Sequence, residues 1–116
     1  MSDHTANSPL TLEVERSPDV AVVRCRGRLV SGAHDMFYAE VRPLIPNYKR
    51  VVLDLTDLAQ MDSMGLGTLI RLYVSAKAAG CDLELINIGK KIRQLLGMTN
   101  VLSAFTVVGE NSTPIH

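Results

Sequence analysis

The sequence lacks an excess of charge of either sign. Its 116 residues include 12 Lys and Arg and 12 Asp and Glu. Nucleic-acid binders are usually more basic than this, so we expect no nucleic-acid partner. The chain also lacks a basic and apolar signal segment, and no apolar run approaches the roughly 20 residues that cross a bilayer. We therefore expect a cytoplasmic protein without a membrane span.

Cysteine is scarce, and the motifs of common enzymes are missing. Cys25 and Cys81 lie far apart and belong to no Cys-x-x-Cys or Cys/His motif, so we interpret both as buried thiols. The Gly-x-Gly-x-x-Gly and Gly-Lys-Ser/Thr patterns of nucleotide-binding sites do not occur. Of three histidines, His4 and His116 lie in the terminal segments, which leaves few candidates for a general base. We expect no catalytic residue, no metal site and no cofactor.

The length and polarity of the chain indicate one domain with short tails. A chain of 116 residues is long enough for a single hydrophobic core and too short for a second folded unit. Segments 1–9 and 110–116 are polar and lack periodicity, so we predict that both are flexible. Residues 10–109 remain as the domain.

Hydrophobic periodicity predicts alternating strands and helices. Five β-branched or alternating runs predict strands, at 10–16, 19–27, 50–55, 82–87 and 104–108. Helical spacing predicts three helices, at 34–45 before Pro46, at 65–80 with Gly80 as the stop, and at 90–98. This order is typical of an α/β domain.

The second helix carries the clearest helical periodicity in the sequence. Its apolar side chains recur at intervals of three and four residues, which places them on one face of a helix. The residues predicted to form this buried stripe are Leu66, Leu69, Ile70, Tyr73 and Val74. We expect this stripe to pack against the sheet.

The stretch MDSMGLG, residues 61–67, places a single serine where a short loop after the third strand is predicted to enter the second helix. A hydroxyl at such a turn can be a nucleophile, a phosphate-binding group, a phosphorylation target or a helix cap. Either Asp62 or Ser63 can cap the helix. Capping does not explain Gly65 and Gly67, since a glycine costs a helix about 0.8–1 kcal/mol relative to alanine. We infer that something approaches the backbone closely here.

The position of Ser63 favours a covalently attached phosphate. Free N–H groups and the positive end of the helix dipole stabilise an anion at a helix N-terminus. Phosphorylation adds about −1.5 to −2 charges, here beside the carboxylate of Asp62, and alters a contact surface by repulsion and desolvation. A phosphoacceptor also needs no histidine base, unlike a serine nucleophile.

Residues 50–102 resemble the STAS domain, which is shared by bacterial anti-sigma factor antagonists and the cytosolic tails of sulfate transporters. The Asp-Ser-x-Gly-Leu-Gly motif between strand and helix carries the resemblance, together with the later strand-loop-helix INIGKKIRQLLGMTNV at 86–101. It extends upstream through VAVVRCRGRL at 20–29. The resemblance implies a single STAS-like α/β domain, with a mixed β-sheet and helices packed mainly on one face. Without an attached transmembrane segment, it implies a stand-alone antagonist.

The resemblance also implies a function for the serine. In antagonists of this family, the serine matched by Ser63 is phosphorylated by a partner that is both a serine kinase and an anti-sigma factor. The unphosphorylated form binds this partner and frees a sigma factor for transcription; the phosphorylated form dissociates until a serine phosphatase restores it. The residues implied to bind the partner around Ser63 are Asp62, Met64, Gly65, Leu66 and Gly67.

Two positions depart from the pattern of the family. Val30 stands where many members have an Asp near the serine, and Met64 stands where a second hydroxyl is common. Met64 either contributes an apolar side chain to an interface or packs inward. Some relatives are permanent scaffolds, so the alternative function is a non-phosphorylated STAS scaffold or adaptor in a bacterial signalling complex.

Overall fold

The structure, a computed structural model, describes residues 10–30, 32–90 and 92–94 and the backbone of 106–108. The strands are β1 (Leu10–Arg16), β2 (Val20–Leu29), β3 (Arg50–Met61), β4 (Asp82–Ile86) and β5 (Thr106–Val108). The helices are α1 (His34–Val41), which continues into a short 3-10 helix (Arg42–Asn47), and α2 (Ser63–Ala79).

One mixed sheet contains all five strands, in the order β1-β2-β3-β4-β5. β1 and β2 pair in antiparallel fashion, as expected for the predicted hairpin. The other neighbouring strands are parallel, and α1 and α2 form the connections between β2 and β3 and between β3 and β4. This confirms the predicted α/β fold with a mixed sheet.

The core lies between the helices and one face of the sheet. Alternate residues of a strand share a face, and every second residue is buried in the stretches 21–25 of β2, 51–55 of β3 and 83–85 of β4. The buried strand residues are Ala21, Val23, Cys25, Val51, Leu53, Leu55, Leu83 and Leu85; α1 and α2 contribute Phe37, Val41, Leu66, Leu69, Leu72 and Ala76. In the described part of the chain, the helices therefore pack mainly on one face, as predicted.

Both cysteines are buried thiols, as predicted. Cys25 is 2% exposed in the middle of β2, and Cys81 is 5% exposed just before β4. Burial, assisted by the nearby charge of Asp54, raises the pKa of Cys25 to about 12. A thiol in this environment remains protonated and unreactive.

β3 is longer than predicted, and the expected loop before the second helix does not exist. The strand runs to Met61, where the sequence predicted an end at residue 55. Its pairing with β2 shifts register between Arg24 and Arg26 and between Gly27 and Arg28. In this irregular half, the buried residues Leu58 and Met61 are three positions apart. A regular strand buries every second residue, so the sequence pattern of this segment does not indicate a strand.

The first two helices differ from the prediction in detail. α1 ends at Val41 rather than at residue 45, since Pro43 has no N–H to donate to the preceding turn. Gly80 ends α2 in a left-handed conformation, φ 73°, as predicted. The predicted stripe was partly wrong, because Ile70 and Val74 are 37% and 59% exposed on the solvent side of α2.

Several predicted segments lie wholly or partly outside the described residues. These are the tails 1–9 and 110–116, residues 104–105 of the last strand, and most of the third helix, of which only residues 90 and 92–94 are described as helical. Among the helices in the described ranges, none is long and apolar enough to traverse a bilayer.

Candidate functional site

The turn between β3 and α2 is fixed by Asp62. This residue follows the last residue of β3 in an extended conformation, φ −98° and ψ −178°, and its Oδ1 accepts a hydrogen bond from the Gly65 N–H at 2.8 Å. Its backbone carbonyl accepts the first helical bond, from the Leu66 N–H at 3.0 Å. Asp62, rather than Ser63, is therefore the helix cap.

Ser63 is the first residue of α2 and is exposed to solvent. Its hydroxyl has no hydrogen-bond partner among the described residues. It lies at the helix end whose first N–H groups lack partners within the helix, where the dipole favours negative charge. The geometry leaves the hydroxyl accessible to a second protein.

The two glycines of the first turn have different roles. A Cβ atom on Gly65 would lie 2.6 Å from the carbonyl oxygen of Leu29 and 2.9 Å from the Cγ of Met61. The predicted close approach therefore comes from the end of β2, not from an outside molecule. A Cβ on Gly67 would have no neighbour within 4 Å, so this position faces open space.

The other two predicted partner-binding residues face opposite ways. Met64 is 63% exposed, which settles the open alternative in favour of an outward side chain. Leu66 is 4% exposed and belongs to the hydrophobic core. The predicted group thus divides into a surface set (Ser63, Met64, Gly67, with Asp62 half-exposed) and a buried set (Gly65, Leu66) that fixes the position of the turn.

His34 is part of this site, although sequence analysis did not place it there. Its Nε2 lies 3.1 Å from Oδ1 of Asp62, the same oxygen that caps α2. The His34 side chain is only 12% exposed. The two residues are 28 positions apart, so no local pattern pairs them. They meet because β2 and β3 are parallel neighbours whose last residues, Leu29 and Met61, pair with each other. His34 comes shortly after the end of β2 and Asp62 directly after the end of β3, so both lie at the same edge of the sheet.

A shallow groove between α1 and α2 continues from the serine turn. Its volume is about 310 Å³, and its lining residues are His34, Asp35, Met64, Gly67, Thr68 and Arg71. The guanidinium carbon of Arg71 lies 4.2 Å from the centroid of the Tyr38 ring, a cation–π contact that holds this charge at the groove. The groove therefore combines an apolar thioether, an open backbone position and charges of both signs.

A family model describes the same fold and turn. The model of the STAS domain matches residues 11–112, most of the chain. The chain belongs to the STAS domain family. The strand-to-helix turn with Asp62 and Ser63 lies inside the match.

Known relatives of this STAS domain include anti-sigma factor antagonists. The anti-sigma F factor antagonist of Paenibacillus polymyxa is 26% identical over 100 residues, which cover 84% of this chain and 86% of the relative. An anti-sigma factor antagonist from Mycobacterium paratuberculosis has a similar structure, with a TM-score of 0.79, 19% identity, and coverage of 90% of this chain and 89% of that one. The structure of Bacillus SpoIIAA in its phosphorylated form matches with a TM-score of 0.69, 18% identity, and coverage of 87% and 94%. At these identities the structural matches show a shared fold.

A second polar cluster lies away from the serine turn of this STAS domain. Oδ1 of Asp54 accepts hydrogen bonds from the backbone N–H and hydroxyl of Thr56, at 3.0 and 2.6 Å, and from the amide of Asn87 at 3.3 Å. Burial opposes ionisation of Asp54, but these hydrogen bonds and the charge of Arg24 outweigh it, so its pKa is lowered. The cluster links β3 to the residue after β4 and has a structural role.

Proposed function

We propose that this protein is an anti-sigma factor antagonist that binds an anti-sigma factor with serine kinase activity and is switched by phosphorylation of Ser63. The observation that carries the proposal is the exposed Ser63 hydroxyl at the first residue of α2, on a turn held by Asp62 and Gly65. The antagonist from Paenibacillus polymyxa supports the partner class. The phosphorylated SpoIIAA fold supports the modification.

The unphosphorylated surface presents Ser63, Met64 and Gly67 to the partner. Met64 supplies a flexible apolar side chain, and Gly67 lets a partner approach the helix backbone. Binding removes the anti-sigma factor from a sigma factor, which becomes free to direct transcription. Because sigma factors act in the cytoplasm, the proposal places this protein there.

Phosphorylation of Ser63 changes the charge of that surface without requiring the domain to refold. The phosphate brings about −1.5 to −2 charges to a position next to Asp62. A partner that packs against a neutral hydroxyl must then desolvate a dianion, and the complex dissociates. A serine phosphatase that removes the phosphate restores the binding surface.

The contacts of His34 favour this switch over hydrolytic chemistry. A serine nucleophile requires a base within hydrogen-bond reach of its hydroxyl. In the described residues, the imidazole of His34 contacts the carboxylate of Asp62, and no hydrogen bond joins it to Ser63. We therefore propose a binding protein rather than an enzyme.

Affinity capture from the source cells tests the proposal. The baits are wild type, Ser63→Asp and Thr11→Glu, the last adding one negative charge at an exposed position on edge strand β1. Mass spectrometry identifies the captured proteins and any phosphate on Ser63. We expect wild type and Thr11→Glu to capture a kinase-like ATPase, Ser63→Asp to capture at least about tenfold less of it, and part of the cellular protein to carry phosphate on Ser63.

The alternative is a scaffold or adaptor that uses the same surface without phosphate control. Val30, at the position where many relatives have an acidic residue, favours it. Equal capture of the same partners by all three baits, with Ser63 unmodified in cells, establishes the scaffold and excludes the switch.

A further inference from the structure

His34 occupies a position from which it can respond to charge at the serine turn. Its Nε2 approaches Oδ1 of Asp62 at 3.1 Å, while the same oxygen accepts the Gly65 N–H at 2.8 Å. The imidazole is nearly enclosed, with 12% of its side chain exposed, whereas 37% of the Asp62 side chain is open to solvent, so water screens the contact only in part. Asp62 in turn is covalently adjacent to Ser63, the residue that would receive the phosphate.

We propose that His34 is a positioning residue for the serine switch: its imidazole holds Asp62 in the capping position and carries the proton that offsets new negative charge on Ser63. This role rests on the proposed function of Ser63 as a phosphoacceptor. The contact joins the first residue of α1 to the residue that caps α2, so it also ties together the two helices that border the groove.

The electrostatic reason is a balance of charge within one turn. Before phosphorylation, the Asp62 carboxylate contacts the imidazole and accepts a backbone N–H. A dianion on Ser63 adds repulsion to Asp62, and a protonated imidazole is attracted to both groups. The other charged groups that line the groove with His34 are Asp35 from α1 and Arg71 from α2, of opposite sign to each other. Histidine is the residue type among these whose charge can change near neutral pH.

A double-mutant cycle on the purified protein isolates this coupling. The four proteins are wild type, Ser63→Asp, His34→Gln and the double variant. The amide of the introduced glutamine can reach the place of Nε2 and still donate to Asp62, but it cannot take up a proton. The unfolding equilibrium is measured with urea at about pH 5.5, where an ordinary imidazole is charged, and at about pH 8, where it is neutral.

At the lower pH we expect Ser63→Asp to reduce the folding equilibrium constant about three- to tenfold more in the His34→Gln background than in wild type, a usual range for neighbouring charges. At the higher pH the difference should shrink to less than about twofold. A residue that only packs against the turn gives equal coupling at both pH values. Equal coupling, or none at either pH, overturns the proposal.

A measurement without any change at His34 covers the case in which His34→Gln does not fold. The ring protons of His34 are followed by NMR in wild type and in Ser63→Asp. At one pH near neutrality, we expect the ring-proton chemical shifts of His34 to lie closer to those of a charged imidazole in Ser63→Asp than in wild type. Identical ring-proton shifts in the two proteins refute the proposal.

These experiments separate the role of His34 from the proposed function, because they contain no kinase or partner. Coupling in the purified protein together with equal capture by all baits leaves the charge balance intact and excludes the phosphorylation switch. Phosphate-dependent capture without coupling supports the phosphorylation switch and excludes the proposed role of His34.

Discussion

At the scale of single residues, the two glycines after Ser63 show why identical residues in one turn need separate explanations. Gly65 permits α2 to start against the end of β2, because its missing Cβ would lie 2.6 Å from a backbone oxygen that cannot move aside. Gly67 has open space around it. The sequence predicted that some group lies close to the backbone at both glycines. At Gly65, that group belongs to the same chain, at the end of β2.

We therefore predict opposite effects on stability for Gly65→Ala and Gly67→Ala. The first should destabilise the protein by about 1–3 kcal/mol, the usual cost of overpacking. The second should stabilise it by up to about 1 kcal/mol, because alanine is the better helix former and meets no neighbour. Urea unfolding of the two variants measures both values. Similar effects at the two positions would contradict the roles assigned to them.

At the scale of elements, most strands and helices could be predicted because their hydrophobic periods are regular. The hairpin, β4, α2 and the Gly80 stop follow from period and capping signals alone. The second half of β3 could not be predicted, because its register shifts bury Leu58 and Met61 at an irregular spacing. The contact of His34 with Asp62 depends on parallel strand pairing between distant segments, which no local pattern contains.

The sequence also did not show which face of α2 is buried, because the helix has more apolar residues than its buried face contains. Leu69 is 1% exposed and lies in the core, whereas its neighbour Ile70 is 37% exposed. We predict that Leu69→Ala costs about 2–5 kcal/mol of unfolding free energy, the usual cost of truncating a buried leucine. The matched variant Ile70→Ala should cost less, about 1 kcal/mol or below, because more than a third of that side chain is already open to solvent.

Thermal or urea unfolding of these two α2 variants gives both numbers in one experiment. Equal destabilisation by Leu69→Ala and Ile70→Ala would mean that α2 is rotated about its axis relative to the arrangement described above. It would also remove Ile70 and Val74 from the solvent-facing side of the helix that begins at Ser63.

At the scale of the whole molecule, the buried thiol of Cys25 links global folding to pH. Burial raises its pKa from 9.0 to about 12 in the folded protein, whereas the unfolded chain exposes an ordinary thiol. The folded state thus retains the proton where the unfolded state has lost it. Its contribution to stability is fully present below about pH 9 and is lost progressively as the pH rises toward 12.

We predict that the unfolding free energy of wild type falls in this interval by up to about 1.4 kcal/mol per pH unit more than that of Cys25→Ala. The variant should be less stable than wild type at neutral pH, because it leaves a small cavity in β2, but its pH profile should be flatter. Cys81→Ala is the matched control, because burial also raises the pKa of that thiol but a hydrogen bond with the Val51 backbone opposes the increase. Urea unfolding at several pH values between about 8 and 11 measures the three slopes. Parallel profiles for wild type and Cys25→Ala would show that the thiol ionises in the folded state, and hence that the centre of the sheet admits water well before the domain unfolds.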